Sequence, residues 1–119
     1  MRAIGLKDVR IDAIGNVIGV RKGSGKGPTV AIIAHLDTLF PAGNDVKVTR
    51  RGNRIYGRGL TDDSAGLAMQ LTWLRALDQA KVDTMGDLVF VASVGEEGKA
   101  TCAGSRRSSK TTPRSMVWW

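Results

Sequence analysis

The sequence predicts an α/β fold, and three stretches predict it. "TVAIIAH" (29–35) is a short, continuously apolar, β-branched run, which suits a strand buried on both faces of a sheet. "DLVFVASV" (87–94) is a second run of the same kind. Between them "DSAGLAMQLTWLRALDQA" has helical spacing. Strand, crossover and strand in this order indicate a sheet covered by helices.

Taken in chain order, "RIDAIGNVIGVRKGSGKGP" (10–28) reads as two short strands about a Gly15-Asn16 turn, then a Gly/Lys-rich loop ending at Pro28. That loop lacks the spacing of a phosphate-binding Walker motif and no strand-loop-helix context follows it, so a flexible connection is expected. "VKVTRRGNRIYGRG" (46–59) reads as a hairpin turning at Gly52-Asn53. The helix is expected over 64–80, with Ala65, Ala68, Met69, Trp73, Ala76 and Leu77 on one stripe. Leu67, Leu71 and Leu74 widen the stripe, so the helix should be well buried, with Met69 and Trp73 as core packing.

Composition narrows the function. A hydrophobic content of 42% and a charged content of 24% are ordinary for a globular chain. No apolar run approaches the roughly 18 residues needed to span a membrane, and "MRAIGLKDVR" has no secretory apolar region. Cys102 is alone, which excludes an internal disulfide and makes a reducing cytoplasm the expected compartment. The net charge of +7 suggests nucleic acid at first sight. However, all 11 acids lie before residue 100, while Arg106, Arg107, Lys110 and Arg114 supply more than half of that charge. The body has no basic stripe with interleaved aromatics, so neither nucleic acid nor membrane is an expected partner.

Chemistry concentrates in three motifs, each where a strand or hairpin ends. In "AHLDT" (34–38), His35 closes the first apolar strand and Asp37 follows with the same parity. A carboxylate beside an imidazole can fix its tautomer and raise its basicity, as happens around metals, although a lone His is more often simply packed. In "YGRGLTDDSAG" (56–66), adjacent carboxylates Asp62 and Asp63 sit at the mouth of the helix. Helix capping explains one acid and leaves the other without a reason. In "VGEEG" (94–98), Glu96 and Glu97 repel each other at the carboxyl end of a buried strand, where open α/β sheets bind ligands. A solvated loop is the plain alternative. One Glu on a divalent cation and the other carrying a proton gives the pairing a purpose. One nitrogen and several oxygens suit Zn²⁺, Mn²⁺ or Co²⁺.

"AHLDT", "GRGLTDDSAG" and "GEEG", in this order, resemble the M20 family of dinuclear zinc metallopeptidases and amidohydrolases, over nearly all of residues 10–99. The resemblance implies residues 1–99 as the N-terminal part of a zinc-peptidase-like catalytic domain, with a mostly parallel sheet flanked by helices. It implies His35 as a ligand of one metal, oriented by Asp37. Asp62 becomes the carboxylate bridging two metals, Glu97 a ligand of the second, and Glu96 the general base. It implies two Zn²⁺ ions, with Co²⁺ or Mn²⁺ as substitutes, and a peptide or N-acyl amino acid substrate whose amide is cleaved by a metal-activated water.

The chain also departs from the family pattern. Ser64 stands where many relatives have Lys. His35 is the only histidine and no acid follows Glu97, so a further acidic ligand and a last His of the family have no counterpart. The lid or dimerisation domain through which the family is often homodimeric is expected to be absent, and the helix before the first hairpin shortened or missing. The expectation is therefore a weakly active or inactive fragment. The alternative is a non-catalytic fragment or pseudoenzyme acting through protein contacts.

The motif-based resemblance ends at Lys99. Residues 100–119 hold no acid and end in paired tryptophans. With permissible codons, a single-nucleotide shift converts "ATCAGSRRSSKTTPRSMVWW" into "GDLRGLKALFKDHPEIDGMV", which has helical apolar spacing and mixed charge. The tail is thus expected to be a poorly ordered frameshift product in which Cys102, Trp118 and Trp119 have no evolved role. A genuine basic tail is the alternative.

Overall fold

The continuously apolar runs become the middle of a sheet, since only central strands can bury both faces. A computed structural model describes residues 1–6 and 8–97, together with the backbone of Val117–Trp118. Its strands are β1 (Asp8–Ile11), β2 (Val17–Arg21), β3 (Val30–His35), β4 (Thr49–Arg51), β5 (Arg54–Tyr56), β6 (Leu88–Ser93) and β7 (Val117–Trp118), with one helix, α1 (Ala65–Gln79), among the described residues. The main sheet has the order β1-β2-β6-β3-β7, and β4 pairs with β5 in a separate exposed hairpin. A short 3-10 turn, Arg2–Ile4, precedes β1 where the family's first helix was expected to be shortened.

The α/β class and both hairpins are as the sequence indicated, and the sheet proves mixed. β3 runs parallel to β6 and to β7, whereas β2 is antiparallel to both β1 and β6. The β3–β6 register runs from Val30↔Leu88 to His35↔Ser93. Side chains alternate across β6 with the period of a strand. Phe90 (1% exposed) packs with Leu6 and Leu74 on one face, while Val89 and Val91 pack with Ile18 on the other.

The helix corrects one expectation. Its buried residues are Gln70 and Leu74. Met69 is 51% and Trp73 49% exposed, so neither is core, and Ala65, Ala68 and Ala76 are exposed as well. Apolar residues circle most of the helix, so periodicity alone left its phase undetermined. The arc facing the sheet contains a glutamine, which a hydrophobicity argument places outside. Gln70 Nε2 donates to the carbonyls of Ile32 (3.0 Å) and Val91 (3.1 Å) and so clamps α1 to β3 and β6.

The Gly/Lys loop is not a loose connection. Lys22 pairs with Asp87 at 2.9 Å, and the Gly23 N–H donates to the same carboxylate at 2.9 Å. Ser24 and Lys26 donate backbone N–H groups to the carbonyls of Thr84 and Met85. A Cβ on Gly86 would lie 1.7 Å from the Pro28 carbonyl oxygen, so glycine is what lets the two loops touch.

Asn16 is fully buried and anchors the first hairpin to the end of β6. Asp12 Oδ1 accepts from the N–H groups of Ile14 (3.0 Å) and Asn16 (2.9 Å), and Asp12 Oδ2 accepts from Asn16 Nδ2 at 2.8 Å. Asn16 Oδ1 in turn accepts from the Val94 N–H at 2.9 Å. Burial pushes the Asp12 carboxyl up, but these hydrogen bonds outweigh it and hold its pKa below the ordinary value. Its contribution to stability is therefore present above its unfolded pKa and lost as pH falls through the folded one. Asn16→Ala is expected to destabilise the fold by about 1–3 kcal/mol in urea unfolding. Asp12→Asn is expected to lose less stability than the wild type when the same titration is repeated in acid.

Candidate metal centre

Parallel pairing brings the carboxyl ends of β3 and β6 to one edge, the place where open α/β sheets receive ligands. His35 is the last residue of β3, and the Leu36 N–H continues the ladder to the Ser93 carbonyl at 2.7 Å. Beyond Ser93 the chain turns at Gly95, whose φ of 78° is unfavourable for other residues, and so delivers Glu96 and Glu97 to the same edge.

The third contribution comes from the entrance to α1. Gly59 has φ 68°, and an irregular turn over Leu60–Ser64 follows, in which Asp62 and Asp63 lie outside helical φ/ψ space and are joined by a cis peptide. The two acids then take different tasks. Asp63 Oδ1 accepts from the Gly66 N–H at 3.1 Å, capping the helix, and its Oδ2 accepts from the His35 N–H at 3.0 Å. Asp62 projects outward with its side chain 75% exposed, and its Oδ1 lies 2.8 Å from His35 Nε2.

His35 is buried, with its side chain 9% exposed, and its ring is set from behind. Nδ1 lies 3.0 Å from the Asp37 backbone carbonyl and 3.7 Å from Asp37 Oδ1. The expected orienting role thus falls first to the Asp37 main chain. The Asp37 carboxylate instead accepts from the Glu97 N–H at 2.9 Å and positions the acidic loop. Glu96 Oε2 is 4.0 Å from His35 Nε2. His35, Glu96 and Glu97 each offer a ligand atom, all within 4.8 Å of one another. All five residues singled out in the sequence, His35, Asp37, Asp62, Glu96 and Glu97, therefore gather at one strand edge.

This arrangement fits a cation. A carbonyl can only accept, so Nδ1 carries the proton and a neutral ring presents a lone pair at Nε2. That lone pair faces a carboxylate oxygen at 2.8 Å, and two acceptors so close need a proton or a metal ion between them. Burial opposes charge on His35, but the Asp62 hydrogen bond, the Asp37 carbonyl and the charges of Asp63 and Asp62 raise its pKa above the ordinary value. Glu97 is also pushed up, by burial and then by the charges of Asp62 and Glu96. Asp37 is held low despite burial, chiefly by the Glu97 N–H. One imidazole nitrogen with carboxylate oxygens suits a borderline-hard divalent ion.

A cleft of about 110 Å³ opens beside His35 and Asp62. A roomier cavity, about 720 Å³, lies elsewhere, between β3 and the Met69–Trp73 flank of α1. Its described lining is apolar and holds no titratable side chain.

Comparison with known proteins agrees with this geometry. Residues 31–114 match the Peptidase family M20/M25/M40, and the chain belongs to it. The matched stretch passes Lys99, where the motif-based resemblance ended, and enters the basic tail. The chain is 32% identical to carboxypeptidase G2 of Pseudomonas sp. over 84 residues, covering 69% of this chain and 20% of that protein. It superposes on a tripeptidase of Staphylococcus aureus with a TM-score of 0.70 at 30% identity, covering 87% of this chain and 31% of the other. For aminopeptidase PepT of Bacillus cereus the TM-score is 0.75 at 25% identity, covering 98% of this chain and 34% of the other. The chain spans about a quarter of the length of the curated relatives it matches.

Sequence reasoning missed the parts played by Asp63, Asn16 and Gln70. For Asp63 a signal existed, an acid three residues ahead of Gly66 at a helix start. For the other two, single polar residues in apolar surroundings gave no direction. Cys102, the other tail residues outside Val117–Trp118 and the side chain of Trp118, with the expectations placed on them, lie outside the described residues. Among the described residues no helix is long and apolar enough to cross a membrane.

Because His35 is the only histidine, its NMR titration is unambiguous. In metal-free protein it is expected to titrate above the ordinary value of about 6.5, and Asp62→Ala should bring it down. Stabilisation by this contact should be complete below that ordinary value and be lost as pH rises through the folded one. Asp63→Ala removes two acceptors and should cost about 1–3 kcal/mol in thermal unfolding. Asp62→Ala breaks one exposed contact and should cost less than about 1 kcal/mol.

Proposed function

We propose that this chain carries part of the site of a metal-dependent hydrolase that cleaves a peptide or a related amide such as an N-acyl amino acid. The observation that carries the reading is the meeting of His35 Nε2 with Asp62, Glu96 and Glu97 at the carboxyl ends of β3 and β6. Family membership supports it. In this reading His35 and Glu97 hold separate ions, Asp62 serves both, and zinc is the resident metal. When bound, such ions supply Lewis-acid polarisation of a carbonyl and a water acidic enough to deprotonate near neutral pH.

The residues of the chain do the remainder. The Asp37 carbonyl holds the His35 ring with Nε2 facing the cluster. Glu96 is the residue that would take a proton from water and return it to the departing nitrogen, a role supported by its 47% exposed side chain and one oxygen 4.0 Å from Nε2. Glu97 is fixed through its backbone by Asp37, so its carboxylate stays beside Asp62 despite their repulsion.

Among the described residues this reading gives each ion two ligands, one of them shared, whereas catalytic zinc sites usually have three protein ligands. That shortage favours a second reading, in which the chain alone binds metal weakly and turns over little. Both are tested by zinc titration and by hydrolysis of N-acetyl amino acids. His35→Ala is expected to lower zinc affinity at least tenfold, within the range typical for lost metal-site residues. Glu96→Gln should leave affinity nearly unchanged and reduce any turnover by about 10²-fold or more. Zinc binding indifferent to His35 would remove the proposal. Tight stoichiometric zinc with ready turnover would remove the second reading.

A further inference from the structure

Arg58 lines the same cleft as His35, Asp62 and Asp63, yet among the described residues no carboxylate pairs with it. The acids beside it are already engaged. Both oxygens of Asp63 accept backbone N–H groups, and Asp62 Oδ1 faces His35. Neutral groups hold the guanidinium instead. Its Nη1 donates to Asn44 Oδ1 at 3.1 Å, and its Cζ lies 4.9 Å from the Phe40 ring centroid. Asn44 is itself fixed, since Asn44 Nδ2 donates to the Pro41 carbonyl at 2.9 Å.

A guanidinium resting on an aromatic face with one of its five donors engaged keeps an in-plane edge for a planar anion. Electrostatics asks for such a group here. Asp62, Glu96 and Glu97 repel any anionic ligand that approaches, and a cation at the cleft offsets this while fixing which end of the ligand enters. We infer that Arg58 is a specificity residue that binds a carboxylate of the substrate, beside the cluster that receives the scissile amide. The inference rests on the hydrolase reading above for the word substrate, and its binding geometry stands apart from the metal.

The test uses the 119-residue chain, metal-free and zinc-loaded, titrated with N-acetyl-L-alanine and with the neutral N-acetyl-L-alaninamide, followed by amide NMR shifts. The wild type is expected to bind the acid about tenfold more tightly than the amide, as a charge-assisted bidentate contact provides. Arg58→Gln should bring that ratio close to one, with zinc affinity changed by less than about twofold and Arg58→Lys falling between. Should Arg58→Gln fail to fold, Phe40→Leu, which removes the aromatic support and leaves the guanidinium, is expected to reduce the preference. A wild type without preference for the acid overturns the inference, and so does an Arg58→Gln or Phe40→Leu protein that retains it in full. Failure of the metal reading would look different: no zinc binding by the wild type, with a carboxylate preference that still depends on Arg58.

Discussion

The parallel pairing of β3 with β6 is the constraint on which the site depends. Its register sets His35 opposite Ser93, so the imidazole and the loop carrying Glu96 and Glu97 leave the sheet at the same level. Sliding one strand by a single residue would turn its side chains to the other face. His35 would then leave the edge, and Phe90 would leave its contact with Leu6 and Leu74. The core and the His35 cluster therefore depend on the same register. Gln70 adds to this by bonding to the carbonyls of both strands from the helix.

A second layer of hydrogen bonds turns that register into a site. Side chains from elsewhere in the chain hold the backbone of His35 and of the acidic loop. Asp63 grips the His35 N–H, Asp37 grips the Glu97 N–H, and Asn16 grips the Val94 N–H. Five carboxylates gather about one imidazole, and besides burial the charges of Asp62, Glu96 and Asp37 push Glu97 up. Main-chain donors hold Asp37 in the charged form and occupy both oxygens of Asp63, while the side chains of Asp62 and Glu96 stay exposed. Structural acids are bound by N–H groups, and the acids available to a cation are those without them.

That division shows why some of the site was legible in the sequence and some was not. His35, Asp62, Glu96 and Glu97 could be read because each follows a strong signal: the end of an apolar run, or a glycine turn before a helix. The sheet's centre was legible for the same reason, since "VAIIAH" and "LVFVAS" are apolar without interruption. The phase of α1 was not, because leucines lie on nearly every arc and the decisive contact belongs to a glutamine. The Gly/Lys loop was misread as flexible because its partner, Asp87, lies far along the chain, and local composition carries no record of a distant carboxylate. Asp37 was assigned to the right neighbourhood but for the wrong atom. Its carbonyl serves the ring and its carboxylate serves Glu97, a distinction that residue type cannot convey.

The exposures at the cluster have a physical logic of their own. The His35 side chain is 9% exposed and rigidly held, whereas those of Asp62 and Glu96 are 75% and 47% exposed. Burying three carboxylates without a cation would be prohibitive, because desolvation penalises each charge and the charges penalise one another. Leaving them at the surface keeps the metal-free fold tolerable, as water screens the repulsion. The imidazole can be buried because it is neutral in one of its states and because Asp37 satisfies its second nitrogen. One buried nitrogen with exposed oxygens beside it thus spares the fold most of the desolvation cost of its carboxylates.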